Sequence, residues 1–287
     1  MGDRTLTTLA TGGGFFEGPR WHDGRWWVSD FYRHTVSTYT VDGREEQVLT
    51  VDAQPSGLGW RPDGSLLVVS MKDHRLLRRY ADGRVDVVAD LSEHAGGPLN
   101  DMVVDAAGRA WVGNFGFDMT AGGGPQGAAL VRVDVDGTVT VAAEDLQFPN
   151  GTVVTPDGAT LIVGETMGRR YTAFTIAADG TLTDRRTWAD LADAEVAPDG
   201  CCLDAEGHIW AADAFGARCV RLAEGGAVVD RVDMPDRLNA YACMLGGDDG
   251  RTLLVCAAPD YFERNRVVAR EAVLLTATVD VPHAGLP

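Results

Sequence analysis

The chain lacks any apolar run approaching the roughly 20 residues that a membrane-spanning helix needs, so a helical membrane protein is excluded. Its start, MGDRTLTTLATGGG, lacks a basic region followed by an apolar stretch. No secretory signal is therefore expected, and the chain is assigned to the cytoplasm. No C-x-x-C pair is present. The five cysteines, Cys201, Cys202, Cys219, Cys243 and Cys256, are expected to be small buried residues of a cytosolic enzyme. Positive charge is scarce, and the net charge of −17 gives no attraction for nucleic acid or anionic membrane. The acidity is read as a solubility feature.

Several catalytic signatures are also missing. There is no G-x-S-x-G, so a serine-hydrolase elbow is excluded. The six histidines, His22, His34, His74, His94, His208 and His283, show no H-x-x-x-H spacing. His22 and His208 fall in or near hairpin turns and are expected to be solvated. The glycine-rich TAGGGPQG lacks the Lys-Ser/Thr ending of a phosphate loop and reads as a flexible loop or lid. Arg78-Arg79 and Arg169-Arg170 read as surface pairs. No long helical periodicity is present.

What is present is repetition. The 287 residues are 45% hydrophobic, enough for a sizeable core. One pattern recurs at Glu17, Ser56, Asn100, Asn150, Asp199 and Tyr241: a polar or small residue, an apolar run, a turn, and a second apolar run. Between these stretches lie further strands with their own turns at Asp42-Gly43, Asp82-Gly83, Asp136-Gly137 and Asp179-Gly180. Each period thus holds about four strands, which predicts an all-β chain forming a single six-bladed β-propeller over residues 1–287. The ring is expected to close by adding the first strand, Thr5–Leu9, to the blade formed by Leu253–Ala257 and Ala272–Val279.

The innermost strands of a propeller line its channel, so the six motif starts are expected to converge at one mouth. Glu17, Asn150 and Asp199 then offer oxygen ligands with two negative charges. Without a cation, two carboxylates about 4 Å apart repel by roughly 4 kcal/mol at an effective dielectric near 20, and one would hold its proton. A central site for one divalent metal ion is predicted, Ca²⁺ first, with Mg²⁺, Mn²⁺ and Zn²⁺ also compatible.

Four stretches, FFEGPRW, PLND, FPNG and APDG, carry a resemblance. In order and spacing the chain resembles the SMP-30/gluconolactonase/luciferin-regenerating-enzyme-like family over essentially its whole length. The resemblance implies a six-bladed propeller with one catalytic divalent metal that hydrolyses lactones. It implies a metal-ligand role for Glu17, Asn150 and Asp199, and a general-base role for Asp199. For Asn100 it implies a substrate-contact or outer-ligand role, with Asp101 beside it.

The chain also departs from that pattern. Members acting on sugar lactones typically carry an arginine two residues before the Asn-Asp pair; here that position is Pro98. The following loop, GNFGFDMTAGGGPQG, has no basic residue and offers Phe115, Phe117 and Met119. Other mouth candidates are Phe15, Phe16, Phe148, Met167, Phe215 and Tyr241. Any one of them can instead pack between blades, but together they describe an apolar lining. The expected substrate is a small lactone or ester less polar than a sugar lactone, contacted by Asn100, Asp101, Phe115, Phe117, Met167, Phe215 and Tyr241. Glu165 is either a carboxylate behind the ligands or an exposed strand end.

Metal-dependent lactone hydrolysis is the main reading. A sugar aldonolactonase, a non-catalytic binding propeller with a structural metal, and a strictosidine-synthase-like or phosphotriesterase use of the ring stay open. Asp199 is either a ligand alone or also the base. No oligomeric state is assigned.

Overall fold

The structure, a computed structural model, describes residues 4–118 and 124–285; Met119 and the first four residues of the TAGGGPQG segment, 120–123, lie outside them. The described strands form six four-stranded sheets. In blades 1 to 5 the strands follow one another in chain order from the channel outward. The inner strands are Phe16–His22, Pro55–Trp60, Leu99–Val104, Pro149–Val154, Pro198–Leu203 and Asn239–Gly246. Each inner strand touches those of the two neighbouring blades, and the sixth meets the first, closing a six-bladed β-propeller.

Closure follows the expected route with shifted bounds. The N-terminal strand is Thr7–Gly13 rather than Thr5–Leu9, and it pairs antiparallel with Ala272–Thr278 of blade 6. Its register slips twice, and Gly12 sits at φ 86°, a conformation open to glycine, which carries the pairing on to Gly13. The aspartate-glycine turns form as expected, with positive φ at Gly43, Gly83, Gly137, Gly158 and Gly180.

The second strands are covered on both faces by adjacent blades and therefore read as unbroken buried runs: Leu66–Ser70, Ala110–Asn114 and Ile209–Asp213 are buried at every position. Outer strands such as Val85–Asp90 alternate between exposed and covered residues. Trp26, Trp111 and Trp210 fill the spaces between blades. Trp111 Nε1 also donates to Asp105 Oδ2 at 3.1 Å, so its ring is packed and its polar atom satisfied.

A helix, Glu263–Ala269, joins the last two strands of blade 6. Seven residues are too few to show a period, and the helix is fixed instead by tertiary ion pairs: Glu263 to Lys72 at 3.0 Å, and Arg266 to Asp260 and Glu271 at 3.2 and 2.9 Å. His22 and His208 are half-buried rather than solvated. The His22 ring stacks on Trp60 at 4.0 Å, and burial lowers its proton affinity. His208 Nδ1 lies 3.2 Å from Arg221. The five cysteines are free and buried, as expected. Among the described residues no helix is long and apolar enough to cross a membrane.

Candidate active site at the channel mouth

Each second strand returns to the level where its inner strand began. Phe16 pairs with Asp30, Pro149 with Glu165, and Pro198 with Asp213. One mouth of the channel therefore collects the inner-strand starts and the loops that follow the second strands. All six inner strands carry a register irregularity here, between Glu17 and Arg20, Pro149 and Thr152, and Pro198 and Cys201 among others. A bulge places an extra residue against its partner strand and re-aims a side chain. Glu17, Asn150 and Asp199 all sit at or within these bulges.

The glycine after each of them has a steric reason. A Cβ on Gly18 would stand 2.7 Å from Ser56 O, one on Gly151 2.4 Å from Asp199 O, and one on Gly200 2.6 Å from the Ala242 Cβ. Only glycine lets the inner strands approach so closely that neighbouring bulges share one small space. Asn150 thus stands before a glycine because the channel is narrow there. Its Nδ2 donates to Thr166 Oγ1 at 3.2 Å and to Asp199 Oδ1. Thr166 Oγ1 donates in turn to Pro198 O at 2.7 Å, tying blade 4 to blade 5.

Glu17, Asn150 and Asp199 are all buried. Burial, then the charges of Asp199 and Asp101, push the Glu17 carboxyl well above the usual carboxylate range; the Gly18 N–H, 3.1 Å from Oε2, and Arg20 oppose the shift. Burial likewise pushes Asp199 up to about 8, against the stabilising amide of Asn150 and with added repulsion from Asp101 and Asp213. Among the described residues no three His, Cys, Asp or Glu side chains cluster as a metal site. The convergent donors are two carboxylates and one amide, whose nitrogen donates to Thr166 and Asp199. Two buried carboxylates whose proton affinities burial raises fit a divalent cation that prefers oxygen.

The other sequence-derived candidates divide. Asn100 and Asp101 are buried, and the Asp101 charge acts on both Glu17 and Asp199. Asn100 Nδ2 approaches Pro149 O at 3.4 Å. Asp101 Oδ1 accepts from the Met102 N–H at 2.8 Å and from Arg20 Nη2 at 2.8 Å. The Phe115 ring stacks on Phe148 at 4.4 Å, and Phe117 meets Phe148 edge-on at 6.1 Å, forming an aromatic wall. Tyr241 packs on Phe15 at 4.7 Å, and burial with the nearby Asp199 charge raises its proton affinity. Met167 and Phe215 are 39% and 57% exposed and join neither cluster of rings.

Sequence reasoning does not single out Arg20. It lies three residues beyond Glu17, is fully enclosed, and also donates to Met102 O at 2.6 Å and Pro19 O at 2.8 Å. The signal lies in EGPRW, where a charged residue follows Glu17 inside a strand that must face the channel. Glu165 is neither exposed nor free. Burial opposes its charge, but Arg170, Thr172 and the Gln147 N–H hold it below the usual carboxylate range.

A profile of the SMP-30/Gluconolactonase/LRE-like region matches residues 15–259. The chain belongs to the SMP-30/gluconolactonase/LRE-like family. A pentonolactonase of Haloferax volcanii is 30% identical over 249 residues, 84% of this chain and 81% of that protein. A 6-deoxy-6-sulfogluconolactonase of Pseudomonas putida is 30% identical over 161 residues, 56% of this chain and 54% of that protein. Among solved structures, a calcium-binding regucalcin of Agrobacterium tumefaciens superposes with a TM-score of 0.84 at 23% identity, over 99% of this chain and 97% of that one. As an SMP-30/gluconolactonase/LRE-like protein, the chain keeps its acidic and amide residues at the convergent end of the propeller.

Proposed function

We propose that this protein is a divalent-cation-dependent lactonase. The observation that carries the reading is the meeting of Glu17, Asn150 and Asp199, from three different blades, in one buried space at the channel mouth of a family whose named relatives include lactonases. These three residues would hold the cation, Ca²⁺ first, with Mg²⁺, Mn²⁺ and Zn²⁺ compatible. When bound, the cation supplies positive charge beside a lactone carbonyl and beside water. Asp199 moves the proton: it takes one from the water that adds to the carbonyl carbon, and returns it to the ring oxygen as the ring C–O bond breaks. The product is a hydroxy acid. The Asn150 amide fixes the Asp199 carboxyl, and Asn100 and Asp101 face the same space as the substrate-contacting pair.

The substrate is a lactone less polar than a sugar lactone. Pro98 offers no charged donor for ring hydroxyls, a loss worth roughly 1.5–3 kcal/mol. The Phe115–Phe148–Phe117 wall instead covers apolar carbon, at about 25 cal/mol per Å². The relatives' names favour a second reading, an aldonolactonase. Steady-state kinetics on matched substrates separates the two. A six-carbon aliphatic lactone should exceed gluconolactone by about tenfold or more in kcat/KM. The reverse order would assign the site to sugar lactones.

A further inference from the structure

The blades that bring Glu17, Asn150 and Asp199 to the mouth share a second feature. Each ends its second strand on a buried acid: Asp30 in blade 1, Glu165 in blade 4 and Asp213 in blade 5. Each acid accepts from a backbone N–H two or three residues before the inner-strand residue it serves. Asp30 Oδ2 and Oδ1 accept from Gly14 and Phe15 at 2.9 and 3.0 Å, ahead of Glu17. Glu165 Oε2 accepts from Gln147 at 2.8 Å, ahead of Asn150. Asp213 Oδ1 accepts from Ala197 at 3.2 Å, ahead of Asp199. An arginine of the same blade faces each acid: Arg33 at 4.0 Å, Arg170 at 2.7 Å and Arg218 at 3.0 Å.

Among the described residues the other three blades lack this contact. Blade 2 ends its second strand on Ser70, and the Gln54 N–H goes to Val51 O instead. Blade 3 ends on Asn114, whose side chain turns to its own loop, accepting from Gly116 N at 2.9 Å and donating to Ala129 O at 2.8 Å. The corresponding residue before Asn100 is Pro98, which has no N–H to offer. Blade 6 ends on Ala258.

We infer that Asp30, Glu165 and Asp213 are positioning residues that clamp the lead-in to each bulge and so hold Glu17, Asn150 and Asp199 in the arrangement a divalent cation needs. The inference rests on the ligand set proposed above. The physical reason is that a bulge gives up ladder hydrogen bonds where three strands must each aim one side chain at a common point. A side-chain acceptor from the same blade restores a bond there and fixes the lead-in backbone. Outer partners of this kind typically govern about ten- to a hundredfold in metal affinity.

The test is calorimetric titration of the purified, chelator-stripped full chain with Ca²⁺, alongside its cation-free melting temperature. Asp213→Ser gives blade 5 the residue that blade 2 already tolerates, and Asp30→Ser does the same in blade 1. Each should weaken Ca²⁺ by about tenfold or more, while Asp213→Asn, which keeps an acceptor for the Ala197 N–H, should stay within about threefold of wild type. Ser70→Ala should leave the affinity unchanged. Serine variants that bind Ca²⁺ like wild type would overturn the inference and leave the proposed ligand set intact. Equal losses in Asp213→Asn or in Ser70→Ala would overturn it as well, the first by assigning the effect to charge, the second to general loosening of the mouth. A wild type that binds no divalent cation would overturn both this inference and the metal reading.

Discussion

Blades 3 and 4 both begin their inner strands with an asparagine after one buried residue, yet the two amides have different surroundings. Asn150 is followed by Gly151, which lets the strand press against blade 5, and its nitrogen reaches Thr166 and Asp199. Asn100 is followed by Asp101, whose carboxylate is held by Arg20 of blade 1, and the Asn100 nitrogen reaches the Pro149 carbonyl at 3.4 Å. Behind Asn150 stands Glu165, bonded to the lead-in backbone; behind Asn100 stands Asn114, bonded to the following loop. The same residue at the same strand position is thus given its use by the next residue and by the end of the neighbouring strand.

The largest expected effect breaks the blade 4 side of the comparison at its partner. Asp199→Asn keeps the size of the side chain but removes its proton exchange, so kcat should fall by about a thousandfold. Ca²⁺ affinity measured on the same variant separates the proton role from the ligand role. A fully active Asp199→Asn would remove Asp199 from the chemistry.

Exchanging each asparagine for alanine sharpens the contrast. Asn150→Ala removes a proposed ligand and should weaken Ca²⁺ by about a hundredfold or more, at least the upper end of what outer partners cost. Asn100→Ala should leave Ca²⁺ affinity unchanged and lower kcat/KM by about tenfold through a raised KM, the loss expected for one hydrogen bond to substrate. Equal cation losses in both would erase the distinction between the blades.

A smaller effect is expected in the stability of the stripped protein. Burial pushes Asp199 from its ordinary value of 3.8 up to about 8, so the stability tied to its proton is fully present at low pH, falls as pH rises between those two values and is gone above about 8. The melting temperature in chelator should therefore decline from about pH 5 to about pH 8 and level off above it, and the decline should shrink with Ca²⁺ present or in Asp199→Asn. A melting temperature that rises over this range would contradict the charge assignment. The smallest change, a fewfold drop in kcat/KM for an aliphatic lactone, is expected from Phe115→Ala, whose ring lies over Phe148 rather than over the ligand set.

Much of this architecture is legible in the amino-acid sequence alone. Six motif starts, the intervening aspartate-glycine turns and the absence of helical periodicity specify the propeller because each feature is local in sequence. Glu17, Asn150 and Asp199 are legible because a ring converts equivalent positions into neighbours. The clamps are not, because an acid at a strand end ordinarily reads as solvated. Only the pairing of Phe16 with Asp30, Pro149 with Glu165 and Pro198 with Asp213 turns it toward a buried backbone N–H. Arg20 is hidden similarly, since its partner Asp101 lies two blades away. The stacking of His22 on Trp60 joins adjacent blades and has no sequence signature.

The most direct test of one cation site at the mouth serving lactone hydrolysis is to strip the wild-type chain exhaustively and titrate Ca²⁺ back while following both binding and turnover of an aliphatic lactone. The predicted result is a single high-affinity site per chain, with activity absent from the stripped protein and returning in proportion to its occupancy. Undiminished turnover in the stripped protein would contradict the account.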